Sequence, residues 1–322
     1  MLKNTIKFIF FILGSLFLLP SCGNFLEDVD VKGDDQIAVV GYISPNDSLV
    51  QIALFRAIGI GSGKDENSVD YIQNAIVRIS DGQNSYVMNY GTNPYAIEDL
   101  GTSVGGNPIT SIRFDKPQFT YQIENAILNI SEGKTYFIEI ETDKGEKLSA
   151  NCTVPVGKVF PTVVLTKFNE QEYSYKAEWE DDLSTTNYYR LEAYQTSFTV
   201  GYDSNTGEPI AIFKQTGTTY FYDNYFKTQE GRQTINYKPE GRVYFYESSI
   251  PNFPNVPTPK PYVTTYLMKT DENYYRYHKS VEKAYNNEGN PFGEPIIIHS
   301  NIENGIGCFG AYISSETITE RE

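Results

Sequence analysis

TYFIEIETDKGEKLSANCTV, residues 135–154, contains two segments in which apolar and polar residues alternate on either side of a turn. Alternation with a period of two places every second side chain on the same face of a strand. Asp143-Lys144-Gly145 has the composition of a tight turn between two such strands. The stretch therefore predicts a β-hairpin with one buried face. The residues of that face are Tyr136, Ile138, Ile140 and Thr142 on the first strand and Leu148, Ala150, Cys152 and Val154 on the second.

Short strand-like segments continue on the N-terminal side of this hairpin. Residues 37–43, 50–55 and 75–80 are rich in β-branched side chains, and Gly82 follows the last of them in a turn signal. Turns at this spacing are typical of sandwiches built from antiparallel strands. We predict an immunoglobulin-like or transthyretin-like β-sandwich over residues 36–157.

A second domain is predicted to follow, over residues 158–322. Pro155 and Pro161 mark the boundary, because proline interrupts strand pairing. The second domain is predicted to be β-rich and to carry one helix near residues 271–287, capped by Thr270 or Asp271. Residues at three- and four-residue spacing form an apolar stripe on this helix and are expected to pack on a sheet as core. They are Tyr274, Tyr277, His278, Val281, Ala284 and Tyr285.

The composition supports a mainly β protein and argues against binding to nucleic acid. The 322 residues include 26 Tyr and 19 Phe, which favour strands, and 25 Gly and 16 Pro, which favour turns. The formal net charge is −15 at pH 7. A chain with this charge and no basic stripe is repelled by phosphate backbones, so nucleic acid is not an expected partner.

The N-terminus has the three parts of an export signal. Lys3 and Lys7 are followed by an apolar run at residues 8–19 and then by Leu19-Pro20-Ser21-Cys22. A run of about a dozen residues is too short to cross a hydrocarbon core of roughly 30 Å as a helix. A small residue directly before the cysteine is the pattern of a lipobox. Residues 1–21 are therefore predicted to be a lipoprotein signal peptide and Cys22 the lipidated residue. The alternative is an ordinary secretory signal that is cleaved elsewhere.

An acidic segment, residues 22–35, is predicted to tether the first strand to this anchor. A polar segment of this kind is a solvated spacer whatever else it does. Glu27, Asp28 and Asp30 also resemble the surface-export signal of Bacteroidota lipoproteins. This resemblance implies a protein held by lipid on the outer face of the outer membrane, with the periplasmic face as the alternative.

The sequence contains no motif for catalysis, metal binding or cofactor binding. His278 and His299 are the two histidines, and neither has a second His or Cys at metal-ligand spacing. Residues 203–208 resemble the start of a calcium loop but lack the acidic twelfth residue, so a hairpin turn is expected. Residues 59–64 lack the spacing of a phosphate-binding loop. We therefore predict no enzymatic activity, no catalytic residue, no cofactor and no metal site.

Tyrosine-rich segments within residues 218–246 are the remaining candidates for binding. Tyrosine combines a large contact area with few rotatable bonds and a polar hydroxyl group, which suits recognition loops. The alternative is that the same rings fill a β core or shield sheet edges. The predicted partner-binding residues are Tyr220, Tyr222, Tyr225, Tyr244 and Tyr246.

Three C-terminal segments form a signature: residues 272–277, 290–295 and 300–310. Together with residues 187–190 and the hairpin at 133–155, they resemble a Bacteroidota outer-membrane lipoprotein family catalogued as domain of unknown function 4249. The resemblance covers nearly all of the chain after Cys22. The family usually has an aliphatic or aromatic residue at the position of Cys308, which weakens the case for a family-wide disulfide. Cys152 and Cys308 could form one disulfide or remain two buried thiols.

The last signature segment also predicts local structure. Residues 301–307 contain Asn304, Gly305 and Gly307 and are expected to form a tight turn into the last strand. The two glycines would permit backbone angles that are closed to other residues.

The resemblance implies a role but no reaction. Members of the family are often encoded beside TonB-dependent receptors. We therefore predict a surface lipoprotein that is an accessory binding partner of a β-barrel TonB-dependent transporter in nutrient capture. The alternative is a structural or assembly component of an outer-membrane protein complex with no substrate of its own.

Overall fold

Alternating segments form strands throughout the described part of the chain. A computed structural model describes residues 36–57, 69–102, 108–112, 116–169, 172–181, 184–202, 209–218, 220–221, 225–227, 236–237, 240–244, 260–287 and 296–321. The predicted signal peptide at residues 1–21, Cys22, and the tether with Glu27, Asp28 and Asp30 lie outside these residues. The same is true of the predicted loops at residues 59–64 and 203–208.

The described residues before the predicted boundary contain eleven strands and two short helical segments. The strands are β1 (Ile37–Ile43), β2 (Leu49–Arg56), β3 (Asp70–Tyr71), β4 (Ile76–Ser80), β5 (Ser85–Val87), β6 (Asn89–Thr92), β7 (Ile97–Thr102), β8 (Pro108–Ile112), β9 (Phe119–Glu124), β10 (Thr135–Glu141) and β11 (Lys147–Thr153). The helical segments are a 3-10 helix (Pro94–Ala96) and α1 (Asn125–Leu128).

The described residues after the boundary contain ten strands and one long helix. They are β12 (Thr162–Lys167), β13 (Glu172–Glu180), β14 (Tyr188–Tyr202), β15 (Pro209–Thr218), β16 (Tyr220–Phe221), β17 (Tyr225–Lys227), β18 (Asn236–Tyr237), β19 (Glu240–Tyr244), β20 (Tyr262–Thr270), α2 (Glu272–Asn287) and β21 (Ile306–Glu320). The fold is mainly β with one long helix, as predicted. Within the described ranges, no helix combines the length and the apolar character that a membrane span requires.

The largest sheet joins strands from both ends of the chain. Its order is β15-β14-β20-β21-β1-β2-β9-β6, with β17 paired to β14 and β3 paired to β2. β21 lies parallel to β1, so that Val40 is opposite Cys308 and Tyr42 is opposite Gly310. Strands from both sides of the predicted boundary at residues 157 and 158 therefore share one ten-stranded sheet.

One hydrophobic core lies between this sheet and a four-stranded sheet of order β11-β10-β4-β5. The predicted hairpin forms β10 and β11, with Tyr136 opposite Cys152 and Ile140 opposite Leu148. All eight residues that were predicted to face inward are buried, so the hairpin prediction is confirmed. β21 adds Phe309 to the same core. The N-terminal β-sandwich is thus completed by the C-terminal strand.

A second core, rich in aromatic side chains, lies between the large sheet and a five-stranded sheet. The order of the smaller sheet is β12-β13-β19-β16, with β18 paired to β13. A hydrogen bond of 2.9 Å joins the hydroxyl groups of Tyr175 on β13 and Thr265 on β20 across this core. Its other buried members include Tyr173, Ala177, Trp179, Tyr189, Leu191, Ala193, Val243, Val263 and Leu267.

Helix α2 begins at Glu272, and Asp271 caps it as predicted. Asp271 Oδ1 accepts a hydrogen bond of 2.8 Å from the N–H group of Tyr274, one of the donors that have no partner inside a helix. The prediction that Tyr285 belongs to the packed stripe is wrong, because its side chain is 75% exposed. Tyr285 lies on the same side of the helix as Tyr274 but about 16 Å further along the axis.

Cys152 and Cys308 are buried free thiols. Cys152 belongs to the core face of β11. Cys308 precedes Phe309 on β21, and successive side chains of a strand point to opposite faces. Burial raises the pKa of both thiols. Of the two alternatives, the structure shows two buried thiols.

The turn before β21 uses its two glycines for different reasons. Gly307 has a φ of +113°, and a Cβ atom there would lie 2.0 Å from the carbonyl oxygen of Val39. The left-handed position of the turn itself is taken by Asn304, with a φ of +59°. A Cβ atom on Gly305 would lie 2.4 Å from Leu148 Cδ2, so close packing explains this glycine. The prediction of special backbone angles therefore holds for Gly307 and is wrong for Gly305.

Candidate functional site

Helix α2 covers a group of aromatic and charged side chains on the ten-stranded sheet. Residues two apart on a strand share a face, and residues four apart on a helix share a face. These two spacings bring the side chains together in one place, which we call the Arg190 cluster. Its members are Tyr42 on β1, Arg190 and Glu192 on β14, Tyr225 on β17, and Tyr274 and His278 on α2.

Arg190 is the central member of the cluster. Its Nη1 donates a hydrogen bond of 2.5 Å to Tyr274 Oη, and its Nη2 lies 2.5 Å from Glu192 Oε1. Its guanidinium carbon lies 5.5 Å from the ring centroid of Tyr225, within the range of cation–π attraction. Burial opposes the charge, but Tyr274 and Glu192 outweigh burial and raise the pKa of Arg190. The guanidinium stays charged and ties the helix to β14.

His278 packs between aromatic rings of the sheet and of its own helix. Its ring centroid lies 4.3 Å from that of Tyr274, 5.2 Å from that of Tyr42 and 6.0 Å from that of Tyr225. Burial, together with the charge of Arg190, lowers the pKa of His278 to about 3. The imidazole is therefore neutral near pH 7. His278 packs against the sheet as predicted, but it is half-buried and lies outside the two hydrophobic cores. This arrangement suits the fixing of a helix better than it suits proton transfer.

An exposed apolar segment follows helix α2 and is held against it. The His299 N–H group donates to Ser280 Oγ at 2.9 Å, and His299 Nε2 lies 3.3 Å from Asn273 Oδ1. Just before this attachment, Ile297 is 91% exposed, and its two neighbours are also exposed. We call residues 296–298 the isoleucine segment. Exposed apolar side chains held by a rigid element mark candidate protein-binding surfaces.

Neither of these features is predicted by the sequence patterns described above. Arg190 lies in a strand whose alternating pattern carries no sign of its partners, which come from distant parts of the chain. The isoleucine segment had a usable signal, since Ile296-Ile297-Ile298 is a β-branched run bounded by Pro295 and followed by polar residues. Outside a strand, such a run has no sheet face to bury it.

The predicted tyrosine site is described only in part. Tyr225 lies on β17 and is buried in the Arg190 cluster, which is the core alternative for this residue. Tyr220 and Tyr244 belong to β16 and β19, two strands that pair with each other. Tyr222 and Tyr246 lie outside the described residues. Partner binding by these residues stays a prediction.

The comparison with protein families gives a match over most of the chain. The model of the family described as Domain of unknown function (DUF4249) matches residues 25–318. The chain belongs to this family. The match spans nearly every element of the DUF4249 fold described above, from β1 to most of β21, and the family description assigns no activity. A comparison with curated proteins gave no match.

A cavity of about 310 Å³ lies on the open face of the four-stranded sheet in this DUF4249 protein. Glu139 and Glu141 on β10, Lys147 on β11 and Arg78 on β4 supply the charged part of its lining. Both signs of charge are present, and the lining contains no aromatic side chain. In the described part of the chain, no three His, Cys, Asp or Glu residues are grouped closely enough to hold a metal ion.

Proposed function

We propose that this DUF4249 protein is a surface-exposed outer-membrane lipoprotein that binds a TonB-dependent transporter as an accessory partner in nutrient capture. The observation that carries the proposal is Leu19-Pro20-Ser21-Cys22 after the apolar run at residues 8–19. Acylation of Cys22 would attach the chain to a membrane through lipid, and two or more acyl chains give lasting attachment. The acidic residues Glu27, Asp28 and Asp30 support placement on the outer face.

The tether sets how far the folded part can lie from the anchor. Residues 22–35 are 14 residues, and a fully extended chain of this length reaches about 50 Å at most. A module confined to such a layer meets membrane proteins at a much higher effective concentration than a free one. The anchor therefore supports association with a β-barrel even when the contact surface is small.

The isoleucine segment is the surface that we assign to this contact. Ile297 is almost fully exposed, and burial of one isoleucine side chain in an interface contributes about 1.5–3 kcal/mol. Its attachment to α2 through His299 and Ser280 fixes the segment before binding, which reduces the entropy lost on association. Rigid apolar anchors of this kind dominate the binding energy of many interfaces.

The test is co-purification of a β-barrel from outer membranes solubilised in mild detergent. Tagged full-length protein should recover a TonB-dependent transporter, and Ile297→Lys should reduce its recovery about tenfold or more. Val87→Lys is the matched control, because Val87 is 56% exposed on β5 of the four-stranded sheet. Recovery of no barrel by the wild-type protein would overturn the proposal. If both variants reduce recovery of the transporter equally, the isoleucine segment is not the contact surface.

The alternative is a structural or assembly component with no substrate. It is supported by the Arg190 cluster, in which the aromatic side chains under α2 pack on one another and on Arg190. Uptake measurements on strains that carry and lack the protein discriminate between the two functions. The accessory role predicts slower nutrient uptake with normal transporter abundance, whereas the assembly role predicts a lower abundance of the transporter.

A further inference from the structure

β12 lies at one edge of the five-stranded sheet. Just before it, the carbonyls of Val159 and Pro161 accept hydrogen bonds from Ser315 Oγ and Thr317 Oγ1 of β21, so the open part of this edge begins after Pro161. On its other side β12 pairs with β13, and the Phe168 N–H group donates to the Glu172 carbonyl at 2.9 Å. Hydrogen-bonded pairs alternate along an antiparallel ladder, so the even-numbered residues of β12 bond to β13. The N–H and C=O groups of Val163 and Leu165 then point to the open edge. Among the strands that the structure describes, β12 pairs with β13 and with no other.

The exposed side chains along this edge are symmetric about Val164. Val164 is 51% exposed, and a threonine lies two residues away on each side. A phenylalanine lies four residues away on each side, with Phe160 64% and Phe168 69% exposed. Val163 and Leu165 face the second core instead. The outward-facing side chains of residues 160, 162, 164, 166 and 168 therefore follow the same order in both directions along the strand.

The central part of this edge lacks the features that usually protect an edge strand. Natural edges carry charges, proline or a bulge that prevents another strand from pairing with them. Residues 162–166, Thr-Val-Val-Leu-Thr, contain none of these, and the protecting residues Pro161 and Lys167 lie at the two ends of the strand. Residues 158–169 contain two lysines and no acidic residue, in a chain whose net charge is −15. A second copy could approach here without bringing carboxylates together.

We infer that β12 pairs antiparallel with β12 of a second copy of this chain, about a two-fold axis at Val164. Val164 would meet its own counterpart in a non-hydrogen-bonded pair, where Cα atoms are about 4.5 Å apart. The outward groups of Val163 would bond to those of Leu165 of the second copy. Thr162 would lie opposite Thr166 of the second copy, and threonine pairs of this kind stabilise neighbouring strands. Such a contact is isologous and closes at two copies.

Cysteine cross-linking tests both the pairing and its register. The full-length chain carries Cys22→Ala so that this thiol cannot contribute, and the native Cys152 and Cys308 are buried. With copper phenanthroline as oxidant, Val164→Cys should give a covalent dimer, because facing Cβ atoms of a non-hydrogen-bonded pair are close enough for a disulfide. Thr162→Cys and Thr166→Cys should each remain monomeric alone and cross-link when the two proteins are mixed.

Val87→Cys is the control for random collision, since Val87 is similarly exposed on a different sheet. The proposal is overturned if Val164→Cys yields no more dimer than this control, or if Thr162→Cys alone cross-links as well as the mixture does. Sedimentation of the otherwise wild-type chain gives an independent measurement. We expect a concentration-dependent dimer that Val164→Lys abolishes, and a monomer at every concentration would also overturn the proposal.

Discussion

Arg190 Nη1 donates a hydrogen bond of 2.5 Å to Tyr274 Oη and joins β14 to helix α2 across 84 residues of sequence. Glu192 balances the charge of Arg190, and the ring of Tyr225 lies under the same guanidinium. The helix is thus held by a charged group whose partners come from separate parts of the chain. Loss of one partner leaves a partly buried charged donor without an acceptor, which costs more than the bond itself contributes.

Tyr274→Phe should destabilise the protein by about 1.5–3 kcal/mol, because it removes the hydroxyl acceptor of Arg190 and keeps the ring packing. Denaturant-induced unfolding, followed by tyrosine fluorescence or circular dichroism, measures the change. Tyr285→Phe is the matched control on the same helix, and its side chain is 75% exposed. We expect a change within about 0.5 kcal/mol for this control. Equal effects of the two substitutions would contradict the role assigned to Arg190.

Asp271 should make the folded state less stable as the pH rises from about 4 to 7. Burial raises the pKa of Asp271 to about 7, with a smaller contribution from Glu272, above the value of about 3.9 in an unfolded chain. Between these values the folded state binds more protons than the unfolded state, so the free energy of unfolding falls with rising pH. Each unit of difference in pKa corresponds to about 1.4 kcal/mol.

Asp271→Asn isolates this effect. The amide oxygen can still accept the hydrogen bond from the Tyr274 N–H group, and the side chain no longer ionises. We expect the variant to gain stability relative to the wild type at pH 8, with a smaller gain at pH 5. Unfolding curves at the two pH values measure both differences. A variant that is less stable than the wild type at pH 8 would show that the carboxylate is favourable there.

Local patterns predicted the hairpin of β10 and β11 and the start of α2, because both depend on neighbouring residues. The hairpin needs a period of two and a turn at Gly145, and the helix needs Asp271 directly before its first turn. The pairing of β21 with β1 instead depends on residues that are distant in sequence. It places Ala38 opposite Ile306, and no pattern near either residue specifies a parallel partner so distant in sequence.

For the candidate site, the sequence predicts which residue types are present but not how they are arranged. The sequence shows the tyrosine-rich segments, but whether Tyr225 faces solvent or core depends on where α2 packs. His278 packs on the sheet as predicted, since a helical stripe must turn one face toward it. Tyr285 shares that stripe and is exposed. The spacing of residues along a helix predicts which face they share, but it does not predict how far the sheet beneath that face extends.

Gly307→Ala should be much more damaging than Gly145→Ala. Both glycines have a positive φ, which costs other residues about 1–2 kcal/mol. A Cβ atom on Gly145 would meet nothing within 4 Å, whereas one on Gly307 would lie 2.0 Å from the carbonyl oxygen of Val39. Only the second substitution forces β21 away from β1. Thermal unfolding of the two variants compares them, and similar losses would show that backbone angle alone sets the cost.

The two free thiols should be unreactive in the folded protein. Cys152 and Cys308 are almost completely buried, and burial raises the pKa of each thiol, so the reactive thiolate is scarce. In a full-length chain carrying Cys22→Ala, a chromogenic disulfide reagent at pH 8 should report essentially no reaction before unfolding and both thiols after addition of guanidinium chloride. Cys308→Ser and Cys152→Ser assign the signal to each position. A thiol that reacts rapidly in the native protein would mean that β21 or β11 opens locally, and opening at Cys308 would expose the parallel pairing with β1 that completes the sandwich.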